Sequence, residues 1–215
     1  MIITAIVTII AAYLLGSINF AIIFSKIFLK RDIRKMGSGN AGATNILRSA
    51  GVLPGVLTFV CDALKGLISC WLGSYTFDFI HTETGSLWSV AIYGAYICGL
   101  ACMLGHIFPI FFAFRGGKGV AVSVGIFAIC SPFAIIAGLV TFTVTVLISR
   151  YVSLASLIAT VVVVIGSVIF HNDTAAVLPQ FILALCMGIL VFWKHSENIR
   201  KLLSGTERKI GKEKR

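Results

Sequence analysis

The chain has 215 residues, 58% of them hydrophobic and only 12% charged, with a formal net charge of +10. A soluble domain cannot hide that much apolar surface, and the continuous apolar runs exclude a membrane β-barrel, whose strands alternate over ~10 residues. The fold class is therefore all-α polytopic membrane protein. With no soluble domain to carry a basic surface, nucleic acid is not an expected partner.

Residues 1–25, 84–114, 119–149, 151–172 and 174–193 contain no Asp, Glu, Lys or Arg. Of the 18 Lys and Arg, 17 fall at 26–48, 115–118, 150 and 194–215, the exception being Lys65. The connections around 74–86 and 171–175 hold only Asp78, Glu83 and Asp173. Positive charge on one side fixes the topology: N-terminus outside, C-terminus cytoplasmic, with Gly37–Arg48, Gly105–Ala121 and His195–Lys209 together on the cytoplasmic face. The first run lacks a basic leader and reads as a retained helix. Expected spans are about 2–24, 53–73, 87–104, 153–170 and 176–193, each near the ~20 residues a bilayer requires. Between Lys118 and Arg150 the run 119–149 must cross twice if both cations lie inside, and Ser131-Pro132 marks the turn. Two short helices, 119–130 and 133–149, then give seven transmembrane helices. A five- or six-span arrangement remains the alternative. The brevity of the first implies that the Gly116–Gly119 loop dips below the headgroups. Residues 1–215 read as a single integral membrane domain. The six cysteines lie in apolar runs without a CxxC pair, so they read as small buried hydrophobes; no metal or cofactor is expected.

Three polar segments carry the chemistry. The first is Gly37-Ser38-Gly39-Asn40-Ala41-Gly42-Ala43-Thr44-Asn45, with Arg48 a turn further on. Its glycines let backbone approach a ligand, its short polar side chains surround that backbone, and Arg48 offers a fork suited to phosphate oxygens. The second runs from Gly105-His106 through Phe108, Phe111, Phe112 and Phe114 to Gly116-Gly117-Lys118-Gly119. It resembles an anion-binding turn entering a helix N-terminus, but it is not a Walker A loop: Phe112 stands at the first glycine position and Gly119 at the Ser/Thr position. The phenylalanines suit an acyl-chain groove or helix packing equally, and His106 suits a structural role or a base equally. The third segment holds His195 and Asn198 on one face of a short amphipathic helix whose apolar stripe is Ile199, Leu202 and Leu203. Within the second span, Asp62 and Lys65 are spaced to pair at i, i+3, the usual condition for charge inside a membrane.

Together the segments closely resemble the acyl-phosphate-dependent glycerol-3-phosphate acyltransferases of bacterial membranes, the PlsY family. That family shows GSGNxGATN, GHxFPxFxxFxGGKGVAT and HxxNIxRLxxGxExK in this order, and here they fall at 37–45, 105–122 and 195–209. Val122 replaces a frequent Thr, Lys201 a usual Arg, and Asn19 a common Pro. The resemblance implies transfer of a fatty acyl group from acyl phosphate to the 1-hydroxyl of glycerol 3-phosphate, giving lysophosphatidic acid and phosphate, without acyl-CoA or metal. It implies a bacterial inner-membrane location with a cytoplasmic site, and the soluble enzyme that makes acyl phosphate is a possible partner. Independently, none of the four histidines begins the His-x4-Asp box of acyl-CoA-type acyltransferases.

On this reading Ser38, Lys118 and His195 are catalytic. Gly39, Asn40, Thr44, Asn45, Arg48, Gly116, Gly117, Gly119 and Asn198 bind substrate, and Asp62, Lys65 and His106 support them. The glycine amides of the second loop and Lys118 would hold phosphate. The base is His195, His106 or a donor phosphate oxygen, with a covalent acyl-enzyme on Ser38 as the competing chemistry. A transporter of small phosphorylated solutes is the rival class. It would place polar groups near the midplane, where these runs are nearly bare.

Overall fold

The computed structural model describes residues 1–85, 91–170 and 174–211, and every regular element among them is helical. The chain forms two compact units, Met1–Cys130 and Ser131–Arg215.

The first unit contains α1 (Ile2–Ser17), α2 (Phe20–Leu29), α3 (Ala43–Ala50), α4 (Val52–Thr84), α5 (Ala91–Ile107) and α6 (Val120–Cys130). The first apolar run, expected as one helix over 2–24, breaks at Ile18-Asn19. The Asn19 carboxamide accepts the Ile22 N–H at 3.1 Å and caps α2. Asn competes for backbone donors and favours such a cap over a helix interior, a preference that the apolarity around it hides. The second span, expected over 53–73, is also longer: α4 has 33 residues, about 50 Å at 1.5 Å per residue. The stretch read as a connection after 73 is helical to Thr84, where Gly85 turns left-handed and donates to the His81 carbonyl at 2.8 Å.

Glycine pairs stand where these helices cross. A Cβ on Gly73 or Gly94 would strike the other's carbonyl; Gly16 faces Cys102 backbone and Gly105 faces Tyr13, while Gly66 and Gly125 join α4 to α6. In lipid, close van der Waals approach between small residues replaces the hydrophobic drive that packs helices in water.

The second unit contains α7 (Pro132–Ser149), α8 (Val152–Ile169), α9 (Thr174–Lys194) and α10 (Ser196–Leu203). Pro132 opens α7, its fixed φ suited to a first helical position, so α6 and α7 fall within one residue of the two short helices expected. Gly138 meets Val163 and Gly166 meets Ala134, which sets α7 and α8 antiparallel. Gln180 on α9 is buried and donates to the Ser167 carbonyl at 3.0 Å.

Six helical stretches among the described residues are long and apolar enough to cross a membrane: Ile2–Leu29, Val52–Thr84, Ala91–Phe112, Pro132–Ser149, Val152–Ile169 and Val177–Lys194. The first counts α1 and α2 as one span, and α6 is a shorter apolar helix of 11 residues. The expected start of the third span at 87 and the connection at 171–173 lie outside the described residues.

Candidate active site

The first motif loop is folded by Asn45. This side chain is 3% exposed; its Nδ2 donates to the carbonyls of Met36 and Asn40 at 3.0 Å, with that of Ile33 at 3.3 Å, and its Oδ1 accepts the Ser38 N–H at 3.1 Å. Gly37 is left-handed at φ 58°, and a side chain there would run into Asn45 Oδ1. An apolar base of Ala21, Ile22, Ile33, Ala41 and Ile46 anchors the loop. Ser38 and Gly39 are left exposed, Asn40 and Thr44 half-buried, and Arg48 exposed on the last turn of α3. Asn45, expected to touch substrate, therefore spends its carboxamide on the loop itself. Helix α3 is likewise not expected from the sequence, which reads there as a polar connection: four of its eight residues are polar, and glycines flank it at 42 and 51.

The second loop doubles back on the end of α5. Gly116 N–H donates to the Ile107 carbonyl at 3.2 Å and Gly117 N–H to the His106 carbonyl at 3.1 Å. The two amides expected to hold phosphate are thus bonded to backbone carbonyls in this structure. The glycines serve close approach instead: a Cβ on Gly117 would strike His106 Nε2 and lie 2.8 Å from the Ala41 carbonyl oxygen. Gly119 is left-handed at φ 87° and leads into α6, with the half-buried Lys118 just before it. Of the phenylalanines, Phe112 packs on the apolar base of the first loop, whereas Phe111 and Phe114 are exposed.

Arg34 ties the two loops together. Its Nη1 donates to the Phe112 carbonyl at 2.8 Å and lies 3.5 Å from that of Arg115, while its Nη2 pairs with Asp32 at 2.7 Å. The hydrogen bond from Arg34 holds the Asp32 carboxyl below its usual range. From sequence Arg34 is one topology signal among many; Asp32, which also caps the turn Ile33–Lys35 by accepting the Arg34 N–H, is the cue to its structural role.

Beneath the loops, Asp62, Lys65 and His106 are 1%, 2% and 3% exposed. Lys65 Nζ lies 3.0 Å from Asp62 Oδ1, so the predicted i, i+3 pair forms. It also donates to the carbonyls of Gly16 and Ile18 at 2.8 and 2.7 Å, and sits 3.0 Å from His106 Nδ1.

His195 and Asn198 belong to the second unit. His195 is buried at the cap of α10 with Nδ1 2.8 Å from the Val191 carbonyl. Asn198 Nδ2 donates to Glu207 Oε1 at 2.9 Å, and Ser153 Oγ donates to the same oxygen at 2.9 Å. Glu207 thereby draws the tail onto the start of α8, aided by the Ile210 N–H on the Arg150 carbonyl at 2.9 Å. Neither Ser153 nor Glu207 was singled out from sequence, although Glu207 stands at a motif position.

Fold and site define a multi-pass helical membrane protein that presents braced, glycine-rich, cation-bearing loops. A family model described as glycerol-3-phosphate acyltransferase matches residues 6–205. "Glycerol-3-phosphate acyltransferase 2" of Bacillus anthracis is 40% identical over 205 residues, 95% of this chain and 98% of that one. A glycerol-3-phosphate acyltransferase of Thermoanaerobacter sp. (strain X514) is 40% identical over 96% of both chains. Among solved structures, the glycerol 3-phosphate form of PlsY (YgiH), an integral membrane glycerol 3-phosphate acyltransferase, matches with a TM-score of 0.79 and 37% identity over 96% of each chain. Its lysophosphatidic acid form matches with a TM-score of 0.77. The chain belongs to the glycerol-3-phosphate acyltransferase family and is an integral membrane acyltransferase.

Proposed function

We propose that the chain transfers a fatty acyl group from acyl phosphate to the 1-hydroxyl of glycerol 3-phosphate, giving 1-acylglycerol 3-phosphate and phosphate, the first acylation of phospholipid synthesis. The observation that carries this reading is the union of the first two motif loops. Gly117 packs beside the Ala41 carbonyl and Arg34 bonds across to the Phe112 carbonyl. Ser38, Asn40, Thr44 and Lys118 are thus carried on mutually braced backbone at the N-termini of α3 and α6, where anions are favoured, with Arg48 on the last turn of α3. The glycerol 3-phosphate and lysophosphatidic acid forms of the similar PlsY structures support acceptor and product. The donor rests on the three-motif resemblance and on the lack of a His-x4-Asp box.

Acyl phosphate is a mixed anhydride with a good leaving group, so positioning and charge stabilisation supply most of the rate. Ser38, Gly39, Asn40, Thr44 and Arg48 are assigned to glycerol 3-phosphate. Lys118, with the Gly119 turn, is assigned to the donor phosphate and its developing charge. His195 and Asn198 keep the acceptor-orienting role their motif carries. The acceptor oxygen attacks the acyl carbonyl carbon, the carbon–oxygen bond to phosphate breaks, and the acceptor's proton leaves on a phosphate oxygen. The whole chain works as one domain in the bacterial inner membrane, with seven crossings, N-terminus outside and site cytoplasmic, within reach of the soluble enzyme that supplies acyl phosphate. Purified protein given acyl phosphate and glycerol 3-phosphate must form lysophosphatidic acid, and must not do so comparably from acyl-CoA; equal turnover of both donors refutes the donor assignment.

A further inference from the structure

We propose that Lys65 and His106 are positioning residues: Lys65 bridges the break in the first span to His106, fixes the imidazole proton on Nε2, and so seats the ring under the Lys118 loop. This deepens the assignment of that loop to phosphate and rests on it.

An ammonium has three N–H groups and no acceptor. Lys65 Nζ donates to the Gly16 and Ile18 carbonyls at 2.8 and 2.7 Å and lies 3.0 Å from both His106 Nδ1 and Asp62 Oδ1. Asp62 Oδ1 is 3.6 Å from Nδ1, beyond hydrogen-bond reach, so the group at bonding distance from that nitrogen is the ammonium. Since the atom facing Nδ1 can only donate, Nδ1 accepts, and the ring carries its proton on Nε2. Both carbonyls are ones the α1–α2 break leaves to be satisfied, and in a membrane interior such groups need a protein partner.

The other side of the ring meets the loop. Nε2 and Cε1 lie where a side chain on Gly117 would be, and the His106 carbonyl accepts the Gly117 N–H at 3.1 Å. One residue thus grips Gly117 by ring and backbone, next to Lys118. The same geometry removes His106 from the candidate bases. Its one lone-pair nitrogen is occupied by Lys65, and the residue is 3% exposed.

The test is the 15N spectrum of wild-type protein labelled at histidine, in detergent without ligand at neutral pH, with His106 assigned by its loss in His106→Asn. The expected signature is unprotonated Nδ1 and protonated Nε2; a proton on Nδ1, in either a neutral ring or an imidazolium, overturns the proposal. This readout is independent of what the loop binds, so it fails separately from the functional assignment. A kinetic arm uses Asp62→Asn with Lys65→Met, which removes both charges and leaves no unpaired ion. There kcat/KM for acyl phosphate should fall about a hundredfold, the cost of an ångström's misplacement, while the KM for glycerol 3-phosphate moves little. Wild-type kinetics in that double variant would also overturn it.

Discussion

At Asn45 one carboxamide holds backbone groups from Ile33, Met36, Ser38 and Asn40. Asn45→Asp keeps the shape but turns a donor into an acceptor facing those carbonyls. With each buried unsatisfied group costing about 1–3 kcal/mol, the variant should lose about 3 kcal/mol or more of stability. A melting temperature in detergent equal to wild type would show that the loop does not depend on this residue. Lys118 behaves differently, because its loss leaves the loop's backbone bonds in place. Lys118→Ala should keep wild-type melting but lower transfer more than about a hundredfold, ~2.7 kcal/mol at the barrier. Activity within about tenfold of wild type would mean Lys118 is no phosphate clamp.

The elements divide by how their positions are encoded. Apolar runs bounded by charge, and Pro132 at a helix start, are read directly, and α6 and α7 lie where the sequence puts them. The break at Asn19 and the extension of α4 were not legible, because one is set by a single side chain competing for a backbone donor and the other by helix continuing past the apolar run. Within the candidate site, residue types and order were legible from the motifs, but which groups spend their hydrogen bonds on the loop was not. The Gly116 and Gly117 amides and the Asn45 carboxamide show why: their partners are backbone carbonyls, which no motif records. The same holds for the tail, where Glu207 gathers Ser153 and Asn198. Glu207→Ala should release residues after Leu203, read as faster limited proteolysis of the tail and weaker transfer, while Glu207→Gln, which retains an acceptor oxygen, should resemble wild type. Equal cleavage of all three proteins would contradict the clamp.

For the whole molecule, the charge pattern and the six long apolar helical stretches among the described residues agree on a multi-pass chain, and the proposed seven crossings place the loops inside. A single-cysteine scan in a cysteine-less background should leave positions 116 and 198 unlabelled by an impermeant reagent in intact cells and labelled after permeabilisation; labelling in intact cells would invert the topology. The central claim is that this membrane chain catalyses acyl transfer between two phosphate-bearing substrates. Its most direct test is phosphate release from acyl phosphate by purified protein, followed with and without glycerol 3-phosphate. The account predicts rapid release only when glycerol 3-phosphate is present, with one lysophosphatidic acid formed per phosphate. Release that ignores glycerol 3-phosphate, or no release at all from a folded protein, would contradict it.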